Sequence, residues 1–168
     1  MDILDFAMQM ELDGTAFYER AAAASQRSEI RDIFLYLAEE ERRHHRFFKS
    51  LKEGSDPDTA ARELQSGPAR TPKSIFVQLI KKNDDQTFGD DVKSVWTEAL
   101  RIEEKSAKLY RDEARKEKDP KRRDLLNRIA EEERTHIYLI DNMLSFMADP
   151  QSFVESQKFA AFKSWEGH

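Results

Sequence analysis

An all-α four-helix bundle with one long crossover and a short C-terminal helix is the fold class this sequence predicts, on three observations. Gly and Pro number only five each in 168 residues. Apolar residues recur at three- and four-residue spacing over long stretches, which is the helical period. Two similar helical hairpins repeat at a constant offset of 92 residues, with a breaker-rich connection between them. The length suits one domain with a proper core. The 36% of charged residues flank regular apolar stripes and so read as solvated helix faces rather than as disorder.

The elements follow in order. Residues 2–26 form a first helix, with Ile3, Phe6, Met10, Phe17 and Ala21 at helical intervals. Ser28 is placed to cap a second helix that runs to about Glu53 and stops at Gly54. Residues 54–90 form the crossover: breakers predict a loop over 54–72, then a short helix over Ser74–Lys82, then a second loop. A connection this long is unusual within a compact domain, and four-helix bundles with one long crossover accommodate it. A third helix spans about Asp91–Glu117. Asp119 caps the fourth, with Pro120 at its first position and its end near Ala148. The bundle thus covers 1–148, and 149–168 is a tail whose last short helix, opened by Asp149-Pro150, reaches about Trp165.

Composition excludes several functions. The formal net charge is −5 and no long basic block occurs, so nucleic-acid binding is not indicated. There is no cysteine, which removes disulfides, thiolate catalysis, zinc ribbons and cysteine-ligated iron from these residues. The acidic N-terminus is unlike a secretory signal, and no apolar run approaches the roughly 18 residues of a membrane span. The expected location is the cytoplasm.

The repeat carries the polar residues that matter. Ala38–His44 (AEEERRH) matches Ala130–His136 (AEEERTH) at six of seven positions; Glu11 matches Glu103, and Tyr18 matches Tyr110. On the second helix, positions 34, 37, 41, 44, 48 and 51 share a face and read Phe, Leu, Glu, His, Phe, Leu. On the fourth, positions 126, 129, 133, 136, 140 and 143 read Leu, Ile, Glu, His, Ile, Met. A Glu and a His therefore interrupt the middle of each apolar seam. Glu11 shares a face with Leu4, Ala7, Met8, Thr15, Tyr18 and Ala22; Glu103 does so with Trp96, Ala99, Leu100, Ala107, Tyr110 and Ala114. Glu11 and Glu41, like Glu103 and Glu133, lie 30 residues apart across a hairpin turn. All four acids meet near the bundle centre whichever way the hairpins dock.

Four carboxylates in an apolar interior raise one another's pKa and resist ionisation. No Lys or Arg occupies the seams, so no salt-bridge compensation is expected. Two divalent cations would balance four Glu carried with two neutral His. Carboxylate oxygen with imidazole nitrogen suits iron or manganese, and the absence of thiolate disfavours structural zinc. One Glu from each of two helices plus one Glu-x-x-His from each of the other two is the ligand pattern of dinuclear bundle proteins. The expected metal residues are Glu11, Glu41, His44, Glu103, Glu133 and His136. One ion would take Glu11 and His44, the other Glu103 and His136, with Glu41 and Glu133 bridging.

At these residues the chain resembles the rubrerythrin-like branch of the ferritin-like superfamily. Glu11…Tyr18, Glu41-Arg-Arg-His44, Glu103…Tyr110 and Glu133-Arg-Thr-His136 carry the likeness, over about residues 1–147. The resemblance implies two iron ions cycling between Fe(II) and Fe(III), and an oxidoreductase that reduces peroxide or O₂ as Fe(II) is oxidised. Manganese is the alternative metal, and zinc is the substitute expected in a crystal. Two departures matter. A cysteine-ligated rubredoxin unit cannot be built from these residues, so electrons would come from an external donor. The family's additional carboxylate, one turn after the third-helix Glu, is replaced by Ser106; Glu104 points elsewhere. Rival readings are an iron-binding or storage protein without efficient turnover, and a di-manganese catalase-like protein.

Other residues have plainer expectations. Tyr18 and Tyr110 either bond carboxylates on neighbouring helices, relay electrons, or are satisfied core tyrosines. His45 lies off the seam and is expected at the surface. Glu39, Glu40, Glu131 and Glu132 are expected in water, paired with Arg42 and Arg134. The apolar tail (Phe153, Val154, Phe159, Phe162, Trp165) is expected to pack on its own bundle or a second subunit, with a membrane surface as the rarer partner. A homodimer is expected, partly because family members oligomerise and partly because Phe76, Val77 and Ile80 need cover.

Overall fold

The computed structural model describes residues 2–65, 71–82 and 88–165. Helices α1 (Ile3–Ala24), α2 (Ser28–Lys52), α5 (Asp90–Lys116) and α6 (Pro120–Ala148) form the bundle. Between the hairpins lie α3 (Pro57–Ala61), a 3₁₀ turn (Arg62–Leu64) and α4 (Pro72–Lys82); α7 (Pro150–Val154) and α8 (Gln157–Ser164) follow the bundle. No strand occurs among the described residues.

The helix boundaries have local causes. Asp2 caps α1 by accepting from the Leu4 N–H, and Asp119 caps α6 by accepting from Lys121 N–H, with Pro120 in the first turn. Gly54 adopts φ 91° beyond the end of α2, a conformation that glycine reaches without a Cβ penalty. Ser28 does not cap α2: it is the first helical residue, and Arg27 occupies the cap position without a side-chain bond.

The crossover differs from a plain loop. Asp56 caps α3 through the Thr59 N–H, and Ala60 and Leu64 are buried against the bundle. A run of breakers conceals this because Asp-Pro is also a helix start. Residues 66–70 and 83–87 of the expected loops lie outside the described residues. The tail helix is divided at Glu155–Ser156, where Ser156 caps α8 through Phe159 N–H.

Two apolar clusters fill the bundle. One gathers Tyr18, Phe34, Leu37, Trp96, Ile140 and Met143 with the α4 and tail aromatics. The other gathers Ala7, Phe47, Phe48, Leu51, Tyr110, Ile129 and Ala130. The early end of α2 thus meets the late end of α6, and the late end of α1 meets the early end of α5, so these cross-hairpin pairs run antiparallel.

The tail completes the first cluster. Phe76 of α4 meets Phe162 of α8 at 5.1 Å between ring centres and Phe146 of α6 at 5.8 Å. Trp165 stands edge-on to Tyr138 at 4.7 Å. Phe76 and Ile80 are buried within this one chain and Val77 is half-buried, so they supply little reason for a second subunit. No helix among the described residues is long and apolar enough to cross a membrane.

One expected stripe is displaced. Ile3 and Phe6 are more than a third exposed while Ala21 is buried, and the buried face of α1 is the one shared with Glu11, namely Ala7, Gly14, Thr15, Tyr18, Ala21 and Ala22. Small residues on that face bring the α1 backbone close to its neighbours, which leaves the bulkier stripe on the flank.

Candidate metal centre

The six sequence-predicted residues converge in the band between the two apolar clusters. Glu11, Glu41, His44, Glu103 and Glu133 are at most 1% exposed and His136 is 3% exposed. Their ligand atoms form two overlapping groups, Glu11–Glu41–His44–Glu133 and Glu41–Glu103–Glu133–His136, each with its atoms within 4.8 Å of one another. Glu41 and Glu133 belong to both groups.

The polar atoms in this band are conspicuously short of partners. Glu11 Oε2, Glu41 Oε1, both oxygens of Glu133 and His44 Nδ1 are buried without a hydrogen bond. Glu133 Oε1 lies 2.7 Å from His44 Nδ1 without the alignment of a bond. Buried oxygen and nitrogen are normally satisfied, and five unsatisfied atoms aimed at one space fit a cation there. Oxygen-rich donors with two imidazoles and no sulfur form a set for iron or manganese.

Electrostatics describe the strain that a cation would relieve. Burial, then the charges of Glu11, Glu103 and Glu133, push Glu41 well above the usual carboxylate range. Burial and the Glu103 charge push Glu133 up to about 8. Burial also works against charge on Glu103, but the His136 imidazolium and hydrogen bonds hold it down to about 2. Glu11 is likewise lowered, burial being outweighed by Glu41 and His44. Burial alone would lower both histidines, yet Glu133 and Glu11 raise His44, and Glu103 raises His136, well above the ordinary value. Two of the four acids are thus drawn below the carboxylate range and two pushed above it, while both imidazoles are raised.

Two tyrosines bond the cluster from opposite ends. Tyr18 of α1 donates to Glu103 Oε1 of α5 at 2.6 Å, and Tyr110 of α5 donates to Glu11 Oε1 of α1. Each bond crosses between hairpins, which is why each tyrosine stands two turns from the Glu of its own helix. Burial and the accepting carboxylate raise both phenols well above their ordinary value. Gly14 clears space on the same side: a Cβ there would lie 2.9 Å from Glu41 Oε2.

The surroundings differ from expectation at Glu40 and Glu132. Glu39 and Glu131 do pair at the surface with Arg42 and Arg134. Glu40, however, is buried between the Tyr36 hydroxyl at 2.7 Å and Arg43 Nε at 2.6 Å. Glu132 accepts from Arg43 at 2.9 Å and lies 2.7 Å from His44 Nε2. A buried cation therefore stands at the margin of the site, although it compensates these two outer acids and not the inner four. Sequence period missed it because Arg43 lies one residue off the seam. The repeat carried the signal: Arg43 is matched by Thr135, the single mismatch in the seven-residue motif. Ser106 is buried and Glu104 exposed, so no fifth carboxylate enters from α5. His45 is half-buried and outside both groups.

Comparison with known families agrees with this geometry: the rubrerythrin family model matches residues 2–144. The chain belongs to the rubrerythrin family. The match ends four residues before the end of α6, so it spans all four bundle helices and both Glu-x-x-His motifs, leaving α7 and α8 outside it. No curated protein and no solved structure matched the chain. Within the rubrerythrin frame, the buried carboxylate–histidine cluster is the part of the molecule fit to hold metal.

Proposed function

We propose that this protein is a dinuclear non-haem iron oxidoreductase that reduces peroxide or O₂ while Fe(II) is oxidised. The observation that carries the reading is the pair of overlapping ligand groups sharing Glu41 and Glu133. Glu11 and His44 would hold one ion and Glu103 and His136 the other, with the shared carboxylates between them. Two Fe(II) ions held there would each give one electron, enough with two protons to reduce hydrogen peroxide to two waters.

The protein's own groups position and protect that chemistry. The four Glu and two neutral His balance two divalent ions without residual charge, which a dry interior requires. Tyr18 and Tyr110 hold Glu103 and Glu11 in place while keeping their phenolic protons. The apolar clusters above and below exclude bulk water from the band. These 168 residues contain no cysteine, so a donor outside them would restore Fe(II).

Anaerobic loading with Fe(II), followed by rapid mixing with peroxide or with O₂, tests the proposal. The expected result is two irons per chain, a near-ultraviolet band of a dinuclear ferric centre, and oxidation faster than that of free Fe(II). Oxidation no faster than free Fe(II) would reject the reading. Metal analysis of protein purified from its native host separates iron from manganese.

A further inference from the structure

The two halves of the centre share their inner ligands by pseudo-symmetry but differ in what stands behind the histidines. Glu132 Oε2 is 2.7 Å from His44 Nε2 and accepts from Arg43 at 2.9 Å. A carboxylate that accepts from a guanidinium has no proton to donate, so His44 Nε2 carries the hydrogen, and the neutral imidazole that a metal requires would turn its Nδ1 lone pair to the cluster. Arg43 is itself fixed by Glu40 at 2.6 Å and by the Leu64 carbonyl of the crossover.

Among the described residues, the same arrangement does not occur behind His136. Its repeat partner for Glu132 is Glu40, whose Oε1 is taken by Tyr36 and whose Oε2 is taken by Arg43. Thr135, standing where the other half has Arg43, donates to the Glu132 carbonyl at 2.7 Å. Among the described residues, the carboxylates near His136 are Glu103 at 3.4 Å and Glu133 at 3.7 Å, both on the Nδ1 side and both in the cluster. The rings that meet His136 are Tyr36, edge-on at 6.4 Å, and His44, stacked at 6.2 Å.

We propose that the two metal positions are inequivalent: Glu132, anchored by Arg43, acts as a positioning residue on His44 and makes the Glu11–His44 position the tighter and first filled. The proposal rests on the dinuclear reading above. A carboxylate behind a ligating imidazole fixes its tautomer and ring orientation and raises its basicity, and removing such a partner costs roughly 10–100-fold in metal affinity.

Titration of the metal-free full chain with Co(II), read by visible absorption and calorimetry, tests this without turnover. Two binding steps are expected, separated by about tenfold or more. Glu132→Gln should weaken the stronger step by about 10–100-fold and leave the weaker one nearly unchanged. The exposed neighbour change Glu131→Gln should alter neither. His44→Ala should abolish the stronger step, whereas His136→Ala should spare it; these two keep the test decisive if Glu132→Gln fails to fold. Two ions bound with indistinguishable affinity, a stronger step untouched by Glu132→Gln, or its loss in His136→Ala would each overturn the inequivalence while leaving the dinuclear reading intact. Fewer than two ions bound would overturn both.

Discussion

At the scale of the residue, Glu41 shows how a single carboxylate depends on its neighbours. It is buried, faces three other acids, and is given room only because residue 14 has no side chain. Gly14→Ala would place a methyl 2.9 Å from Glu41 Oε2 and turn that flexible carboxylate away. The metal-free protein should not lose stability, since Ala is the better helix former by about 1 kcal/mol. Metal affinity should fall by about tenfold, the lower end of what disturbed ligand orientation costs. Thermal melts with chelator and a Co(II) titration measure the two effects separately. Tyr18→Phe makes the complementary change, removing the donor to Glu103 Oε1. A buried acceptor left without its donor costs about 1–3 kcal/mol. Urea denaturation of the metal-free variant should show that loss as a lowered midpoint at unchanged slope.

At the scale of the element, α8 works as part of the core. Phe162 is fully buried and touches rings from α4 and α6. Phe162→Ala should destabilise the protein by about 3–5 kcal/mol, as for other large core truncations. A far-ultraviolet circular dichroism melt would check it, and a change within about 0.5 kcal/mol would mean that the tail contributes only surface. Helix ends were readable where a side chain caps them, as at Asp119-Pro120 and Asp149-Pro150. At Ser28 the expected cap falls one residue late, because Arg27 holds the cap position without a side-chain bond. The α3 turn was hidden for another reason: five residues are too few for a period to show, and its burial comes from Ala60 and Leu64 meeting distant helices.

At the scale of the whole molecule, the centre couples metal binding to protons. Glu133 is raised from 4.5 to about 8 and both histidines are raised above 6.5, so the metal-free fold binds more protons than the unfolded chain through this window. Stability of the metal-free protein should therefore fall as pH rises from 4.5 toward about 8. Glu103, lowered to about 2, acts at the acid end, where its contribution is lost as pH falls from 4.5. Cations demand deprotonated ligands, so loading should release protons and stabilise the fold more at higher pH. Calorimetry in buffers of different ionisation enthalpy counts the protons. Melting curves across pH, with and without Co(II), should show slopes of opposite sign.

The sequence by itself determined the bundle and the six inner residues, because helical period and duplication can both be read along the chain without knowing how the hairpins dock. Glu41 and His44 can interrupt an apolar seam only if something inside receives them, and the 92-residue repeat says so twice. Tertiary structure alone decided the rest. The Glu11 face of α1 was legible, with Ala7, Thr15, Tyr18 and Ala22, but that Ile3 and Phe6 stand outside it depends on how closely the helices approach at Ala7 and Gly14. The roles of Tyr18, Tyr110, Glu132 and Arg43 depend on partners 85 to 99 residues away. A period along one helix carries no information about side chains that meet across the bundle; only the docking of the two hairpins brings those atoms within bonding distance.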